Sequence, residues 1–333
     1  MDGFVGPVFP GRPNELTIDH PSGNDDDRSH QLAYVANPVA GHGRARAVIA
    51  DLALAAGAAG LGGPIFVSQY PGHASALARR ALESGVTMVV AVGGDGTAGE
   101  VAEALVGTSA TLGILPAGGG NDLARVFGIA PLRKGPVALA HAIRALVQAP
   151  TQRLDVIDVA GRISLQASGV GLDAYVTGRR ATSRLRPPSL AYAVGAVTGL
   201  LGWTPRPMRV IIDGVIAHDG PAFAVTVANT STYGSGLRIA PGADPTDGLV
   251  DVAIIGDIGR VEALRLFPSV YRGGHARHPK FTLRQGRHVL VESDRADVPT
   301  HVDGTVTGVA PLEARVVPRA VTVVVPAPEW FER

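Results

Sequence analysis

At 333 residues, with 46% hydrophobic and 18% charged side chains, the chain is long enough and apolar enough to bury the cores of about two domains. Basic and acidic residues nearly cancel at a formal +1 and aromatics are 5%, which argues against a nucleic-acid protein held by bulk charge or base stacking. With no cysteine, a disulfide framework, a thiolate zinc site and a cysteine nucleophile are excluded, and a cytoplasmic location is expected.

Met1–His30 carries scattered prolines and the run Asp25–Asp27 without an apolar core, so it is expected to be a disordered tail and not a signal peptide. No stretch reaches the ~20 apolar residues that cross a bilayer. Gln31–Ala36 predicts a first strand, ending in Asn37-Pro38-Val39-Ala40-Gly41-His42-Gly43, with a helix over Arg44–Ala56. Pro64–Ser68 and Ala74–Ser84 repeat the pattern. Thr87–Val92, rich in β-branched residues, runs into Gly93-Gly94-Asp95-Gly96-Thr97 and a helical Ala98–Leu105. Thr111–Leu115 leads into Pro116–Asp122 and a helix over Leu123–Phe127, and Val137–Gln148 reads as the closing helix.

Four such alternations predict a parallel sheet with right-handed crossovers. Its three glycine loops fall at the carboxyl ends of strands, where open sheets gather ligands. Thr97 and Glu100 have the spacing of a capping box. A loop of this kind offers free N–H groups at a positive helix end, a place for phosphate. Asp95 beside it calls for a cation such as Mg²⁺, or for a proton. The plain alternative is a strand-to-helix turn with a solvated aspartate. None of the loops is a Walker loop, and none spells G-x-G-x-x-G after the first strand.

From Arg153 the texture changes to short β-like runs: Leu154–Val159, Ile163–Ala167, Met208–Ile212, Phe223–Val227, Leu249–Ile255, Val289–Glu292, Ala314–Val317 and Val321–Val325. Turn residues separate them, as in an antiparallel sandwich or barrel, with helical stretches near Gly171–Thr182 and Ser189–Trp203. The expected fold is α/β: an N-terminal open parallel-sheet nucleotide domain over 31–150 and a C-terminal β-rich sandwich domain over 151–326, followed by a tail over 327–333.

Five motifs occur in order: Asn37-Pro38-x-Ala40-Gly41; Gly93-Gly94-Asp95-Gly96-Thr97; Pro116-x-Gly118-x-x-Asn121-Asp122-x-Ala124-Arg125; Gly169-x-Gly171-x-Asp173-Ala174; and Asp244-x-x-Asp247-Gly248-Leu249. Together they resemble the soluble diacylglycerol kinase and sphingosine kinase family of lipid kinases, which is related to NAD kinase and 6-phosphofructokinase through the glycine-aspartate-glycine loop. The resemblance spans Gln31 to Val325. It implies ATP- and Mg²⁺-dependent transfer of phosphate to a lipid hydroxyl at a membrane surface, with diacylglycerol the first substrate to try, and it leaves room for a homodimer. By that likeness ATP would lie across Asn37, Pro38, Val39, Ala40 and Gly41, across Ser68, across Gly94, Asp95, Gly96, Thr97, Ala98, Gly99 and Glu100, and against Gly119 and Asn121. Arg125 would offer charge to phosphate, and Asp95 would engage the Mg²⁺-nucleotide or the acceptor hydroxyl. Asp244 and Asp247, with the Leu249 carbonyl, resemble the family's structural Mg²⁺ site; an Asx-type turn is the alternative.

Two positions depart from the family. Gly118-Gly119 replaces a usual glycine-threonine. His301-Val302-Asp303-Gly304-Thr305 replaces a usual aspartate-glycine-glutamate whose glutamate is a candidate base, leaving Asp303 or Asp95 to do that work. A kinase for a soluble acceptor, in the manner of NAD kinase, and a nucleotide-binding module with little turnover are the rival functions. His275-x-x-His278 is expected in a solvated loop beside Arg277 and Lys280, and Ser68 and His73 have no triad context. Ser189–Leu201, bracketed by Arg184, Arg186, Arg206 and Arg209, reads as a buried helix or as an apolar lip on a membrane.

Overall fold

Strands β1 (Leu32–Ala36), β2 (Ile65–Val67), β3 (Met88–Gly93) and β4 (Thr111–Pro116) lie parallel in the order β2-β1-β3-β4. Every residue of β1 and β3 is buried, as strands without polar alternation must be when helices cover both faces of a sheet. Along β1 the side chains divide by parity. Leu32, Tyr34 and Ala36 pack with helix α1 (Ala45–Ala59), whereas Ala33 and Val35 pack on the other face with helices α2 (His73–Glu83) and α3 (Asp95–Leu105). The short helix α4 (Asp122–Val126) follows β4, and α5 (Pro136–Gln148) joins α1 on its face. These described residues are 32–181 and 188–327 of a computed structural model. The expected N-terminal tail, Arg184 and Arg186 lie outside them.

The second half is antiparallel apart from one pairing. It comprises β5 (Thr151–Val159), β6 (Arg162–Ser164), β7 (Ala167–Gly171), helices α6 (Leu172–Ala181) and α7 (Pro188–Gly202), β8 (Arg206–Ile212), β9 (Val215–Ala228), β10 (Val250–Gly256), helix α8 (Arg260–Val270), β11 (Phe281–Gly286), β12 (His288–Glu292), β13 (Pro299–Val302), β14 (Thr305–Val309) and β15 (Leu312–Val324). The order β14-β13-β7-β9-β8-β12-β15 runs on into β4, because Thr322 and Val323 of β15 pair in parallel with Thr111 and Leu112. β5 lies antiparallel to the same strand.

The expected strand over Ile163–Ala167 is two strands, β6 and β7, because residues 165 and 166 form a bend between them. β11, β13, β14 and α8 had no expected counterpart. In the last turns of α7, Leu200 is enclosed, while Val194, Val197 and Leu201 are exposed. Arg206 stacks on Trp203 and pairs with Asp297, and Arg209 pairs with Asp219.

One buried carboxylate ties this half together. Asp155 is fully enclosed; Oδ2 accepts from Gly248 N (2.7 Å) and Oδ1 from Arg319 N (2.6 Å), and its own N–H reaches Pro245 O (2.7 Å). Asp155→Ala orphans two backbone N–H groups, so it is expected to lower stability by about 3 kcal/mol. A urea titration checks this; a midpoint matching the parent's would refute it.

Candidate active site

The three glycine loops converge on one cleft of about 810 Å³. Side chains and close backbone contacts bind the loops to one another. Asn37 Nδ2 donates to Thr97 Oγ1 (3.2 Å), and Arg44 Nη2 donates to Gly118 O (3.0 Å). A Cβ at Gly118 would run into the backbone of Gly94, so no larger residue permits this approach. At Gly41, φ is +59° and a Cβ would strike Ala117 O. Helix α3 starts at Asp95, with Gly94 as its N-cap and no side-chain cap, which leaves the N–H groups of its first turn free for an anion.

The expected Thr97–Glu100 capping box is not formed. Thr97 lies within α3 and accepts from Asn37, and Glu100 reaches across to α2, accepting from Gly72 N (2.9 Å) and Ala74 N (3.0 Å). One helix thus caps its neighbour. The shared wall includes Ser68 and the exposed Tyr70, which stacks on His73 at 4.4 Å.

A second bank faces these loops: Gln166, Ala167, Thr177, Tyr233–Ser235 and Asp303–Thr305. Asp303 and Gly304 are the two central residues of the β13–β14 hairpin, with φ of +41° and +75°; Asp-Gly is the sequence such a turn favours. Asp303 Oδ1 accepts from Ser164 Oγ (2.6 Å), Gln166 N (3.1 Å) and Ala167 N (3.1 Å), and Oδ2 from Leu165 N (2.8 Å). Burial pushes its carboxyl up against the pull of those four donors. Behind it His301 is enclosed, with Nε2 3.1 Å from Asp173 Oδ2, which also accepts from Thr226 Oγ1 (2.9 Å). Thr305, where a glutamate was expected from the resemblance, is exposed on the cleft.

Asp95 lies on the opposite bank from Asp303, at the start of α3. Its Oδ1 accepts from Leu123 N (2.9 Å) at the start of α4, and its pKa is pushed up to about 6, chiefly by burial and then by the neighbouring Asp122. Asp122 is enclosed, accepts from Ser235 N (2.6 Å) and pairs with Arg125. Asp122 stands inside the Pro116–Arg125 motif, where nothing local sets it apart as a functional residue. Arg125, expected to meet phosphate, is engaged by Asp122 and Gly120 O and does not line the cleft. Nor do Ala98, Gly99 and Asn121: the first two are buried in α3, and Asn121 Oδ1 accepts from Gly118 N (2.9 Å), shaping the loop. The remaining expected nucleotide residues do line it.

An apolar cavity of about 100 Å³ lies beside the cleft, walled by Leu172, Val176, Leu200, Phe223, Ala263 and Phe267 among others. Tyr233 borders both spaces.

Elsewhere, Asp244 Oδ1 accepts from Thr246 N and Oγ1, and Asp247 Oδ1 from Leu249 N, so the Asx-type turn is formed. Burial, then Asp244 and Asp155, push Asp247 up. Those turn bonds use Oδ1 of each carboxylate, and such hard oxygens suit a divalent cation, although among the described residues no three acidic or histidine side chains gather as a metal cluster. His275 is buried against Ile239 O and Phe281, not solvated as expected, and His278 meets Glu262. No helix among the described residues is long and apolar enough to cross a membrane.

Residues 31–159 match the diacylglycerol kinase catalytic domain, and 167–325 match the YegS C-terminal NAD kinase beta sandwich-like domain. A diacylglycerol kinase of Mycobacterium tuberculosis is 29% identical over 307 residues, covering 90% of this chain and 97% of that protein. A Pseudomonas putida protein described as a YegS-like lipid kinase is 34% identical over 193 residues, or 57% of this chain and 62% of its own. In structure the chain is similar to a diacylglycerol kinase of Bacillus anthracis, with a TM-score of 0.67 at 18% identity over 90% of this chain and 98% of that one. An NAD kinase of Archaeoglobus fulgidus, solved in complex with ATP, gives 0.50 at 13% identity over 89% and 94%. At such identities the structural likeness speaks for the fold.

Proposed function

The chain belongs to the diacylglycerol kinase family of lipid kinases, and from that premise we propose that it transfers the γ-phosphate of Mg²⁺-ATP to the free hydroxyl of diacylglycerol. The observation that carries this reading is the adjacency of the glycine-loop cleft and the apolar cavity, with Tyr233 in both walls. Such a pair of spaces suits an acceptor with a polar head and an aliphatic body. A soluble acceptor such as NAD leaves the apolar cavity without an occupant.

In this reading the N–H groups of the α3 start and of Gly119 and Gly120 hold phosphate oxygens, which is most of what phosphoryl transfer asks of a protein. Asp95, with a proton affinity near neutrality, takes the hydroxyl proton as the acceptor oxygen bonds to the γ-phosphorus and the bond to ADP breaks. Mg²⁺ would arrive bound to the nucleotide and neutralise phosphate oxygens there, which leaves the Asp95 carboxylate to the acceptor hydroxyl. Asp244, Asp247 and the Leu249 carbonyl would hold a second, structural ion. Val194, Val197 and Leu201, exposed on α7 beside the cavity-lining Leu200, form the lip that rests on the membrane.

Incubation with radiolabelled ATP and a lipid panel beside NAD tests the proposal. Label is expected in phosphatidic acid; label in NAD alone would end the lipid reading. Ala263→Phe, which fills the apolar cavity from α8, is expected to cut lipid phosphorylation more than tenfold with ATP binding kept, measured in a variant whose melting curve confirms folding.

A further inference from the structure

Gln166 is 6% exposed, yet its Nε2 has no hydrogen-bond partner, and it lines the cleft on the bank opposite the glycine loops. Buried amide groups are nearly always paired, so an orphan on the wall of a ligand cleft marks a partner that arrives with the ligand. Its main chain is firmly held: Gln166 N donates to Asp303 Oδ1, and Gln166 O accepts from Asn229 N (2.7 Å). The side chain is therefore presented from a fixed point beside the Asp303 turn. Ser235 Oγ, from the same bank, is a second buried polar atom without a partner, and its backbone N–H is fixed by Asp122. Tyr233, two residues before it, borders the apolar cavity.

We propose that Gln166, seconded by Ser235, binds the ester carbonyl next to the acceptor hydroxyl and so selects glycerolipid esters as substrate. The proposal rests on the lipid-kinase reading and deepens it. An amide N–H asks for an acceptor oxygen. In a lipid seated between the cavity and Asp95, the oxygen nearest the free hydroxyl is that of an ester. A lipid with an ether in that place, or an amine as in a sphingoid base, offers Gln166 no carbonyl. Gln166 and Ser235 are then positioning residues, and Asp95 remains the group that takes the proton.

The test crosses protein and ligand. Parent and Gln166→Leu are compared on dioctanoylglycerol and on the dialkyl ether of the same length, at saturating Mg²⁺-ATP. On the ester, Gln166→Leu is expected to raise KM about tenfold, with KM for ATP unchanged. On the ether, the parent already shows the weaker KM, and the variant adds less than twofold. Ser235→Ala is expected to give a smaller effect with the same ester-only pattern. Equal losses on ester and ether would show a merely structural role and overturn the proposal. A parent that phosphorylates neither lipid, while labelling a soluble acceptor, would overturn the lipid reading itself and the proposal with it.

Discussion

Asp95→Asn is expected to lower phosphotransfer at least ~100-fold, the scale of a lost, positioned general base. The fold should survive, since an amide oxygen at the same place still accepts from Leu123 N. The pH dependence makes the assignment specific. Burial and Asp122 raise the Asp95 pKa from 3.8 to about 6, and the ionised form is the working one, so the parent rate should climb as pH passes about 6 and level off above it. Removing the neighbouring charge with Asp122→Asn should move that midpoint down. Stability runs the opposite way. A carboxyl that holds its proton more tightly folded than unfolded contributes stability at low pH, and that contribution is lost as pH rises through about 6. Above that pH, Asp95→Asn should therefore melt no lower than the parent while remaining nearly inactive. Turnover within a few-fold of the parent would remove Asp95 from the reaction.

The second large effect is expected at Asp303. Its four hydrogen bonds make it the clamp between the β13–β14 turn and residues 164–167, so Asp303→Ala orphans the N–H groups of Leu165, Gln166 and Ala167. A rate loss of about 30- to 100-fold is expected, with a stability loss of about 2–3 kcal/mol. The discriminating readout is the shape of the pH profile. If Asp95 is the base, the residual activity keeps its rise near pH 6. A flat profile would move the base to Asp303. Thr305→Glu, at the exposed start of β14, places on the cleft the acid expected from the resemblance and should raise the rate if a missing carboxylate limits it.

Much of the glycine-loop side of this cleft was legible in the sequence because its signals are local. Unbroken apolar runs made β1 and β3, and a glycine loop after each strand placed its residues at the sheet's carboxyl end. What escaped depends on distant partners. Glu100 has capping-box spacing from Thr97, yet the N–H groups it finds belong to α2, which packs alongside. Gln166 between Leu165 and Ala167 reads as the polar side of a strand; only the hairpin turn at Asp303, far along the chain, encloses it. β13 and β14 are short, and β14 is exposed throughout, so they carry too little apolar alternation to announce a hairpin. His275 looked solvated beside Arg277 and Lys280 until α8 and β11, neither expected, were built around it.

The late strand β15 has a consequence for how the protein is made. Its Val321 and Val323 pack into one core with Leu112 and Ile114 of β4, and its pairing with Thr111 and Leu112 covers the start of the β4 edge. On the ribosome, the four-stranded start of the chain emerges with that apolar edge bare, and it stays bare until nearly the whole polypeptide has been synthesised. An open edge is the surface on which nascent chains join one another. The first half is thus an incomplete folding unit that must be kept apart from its neighbours until the last strand slots in.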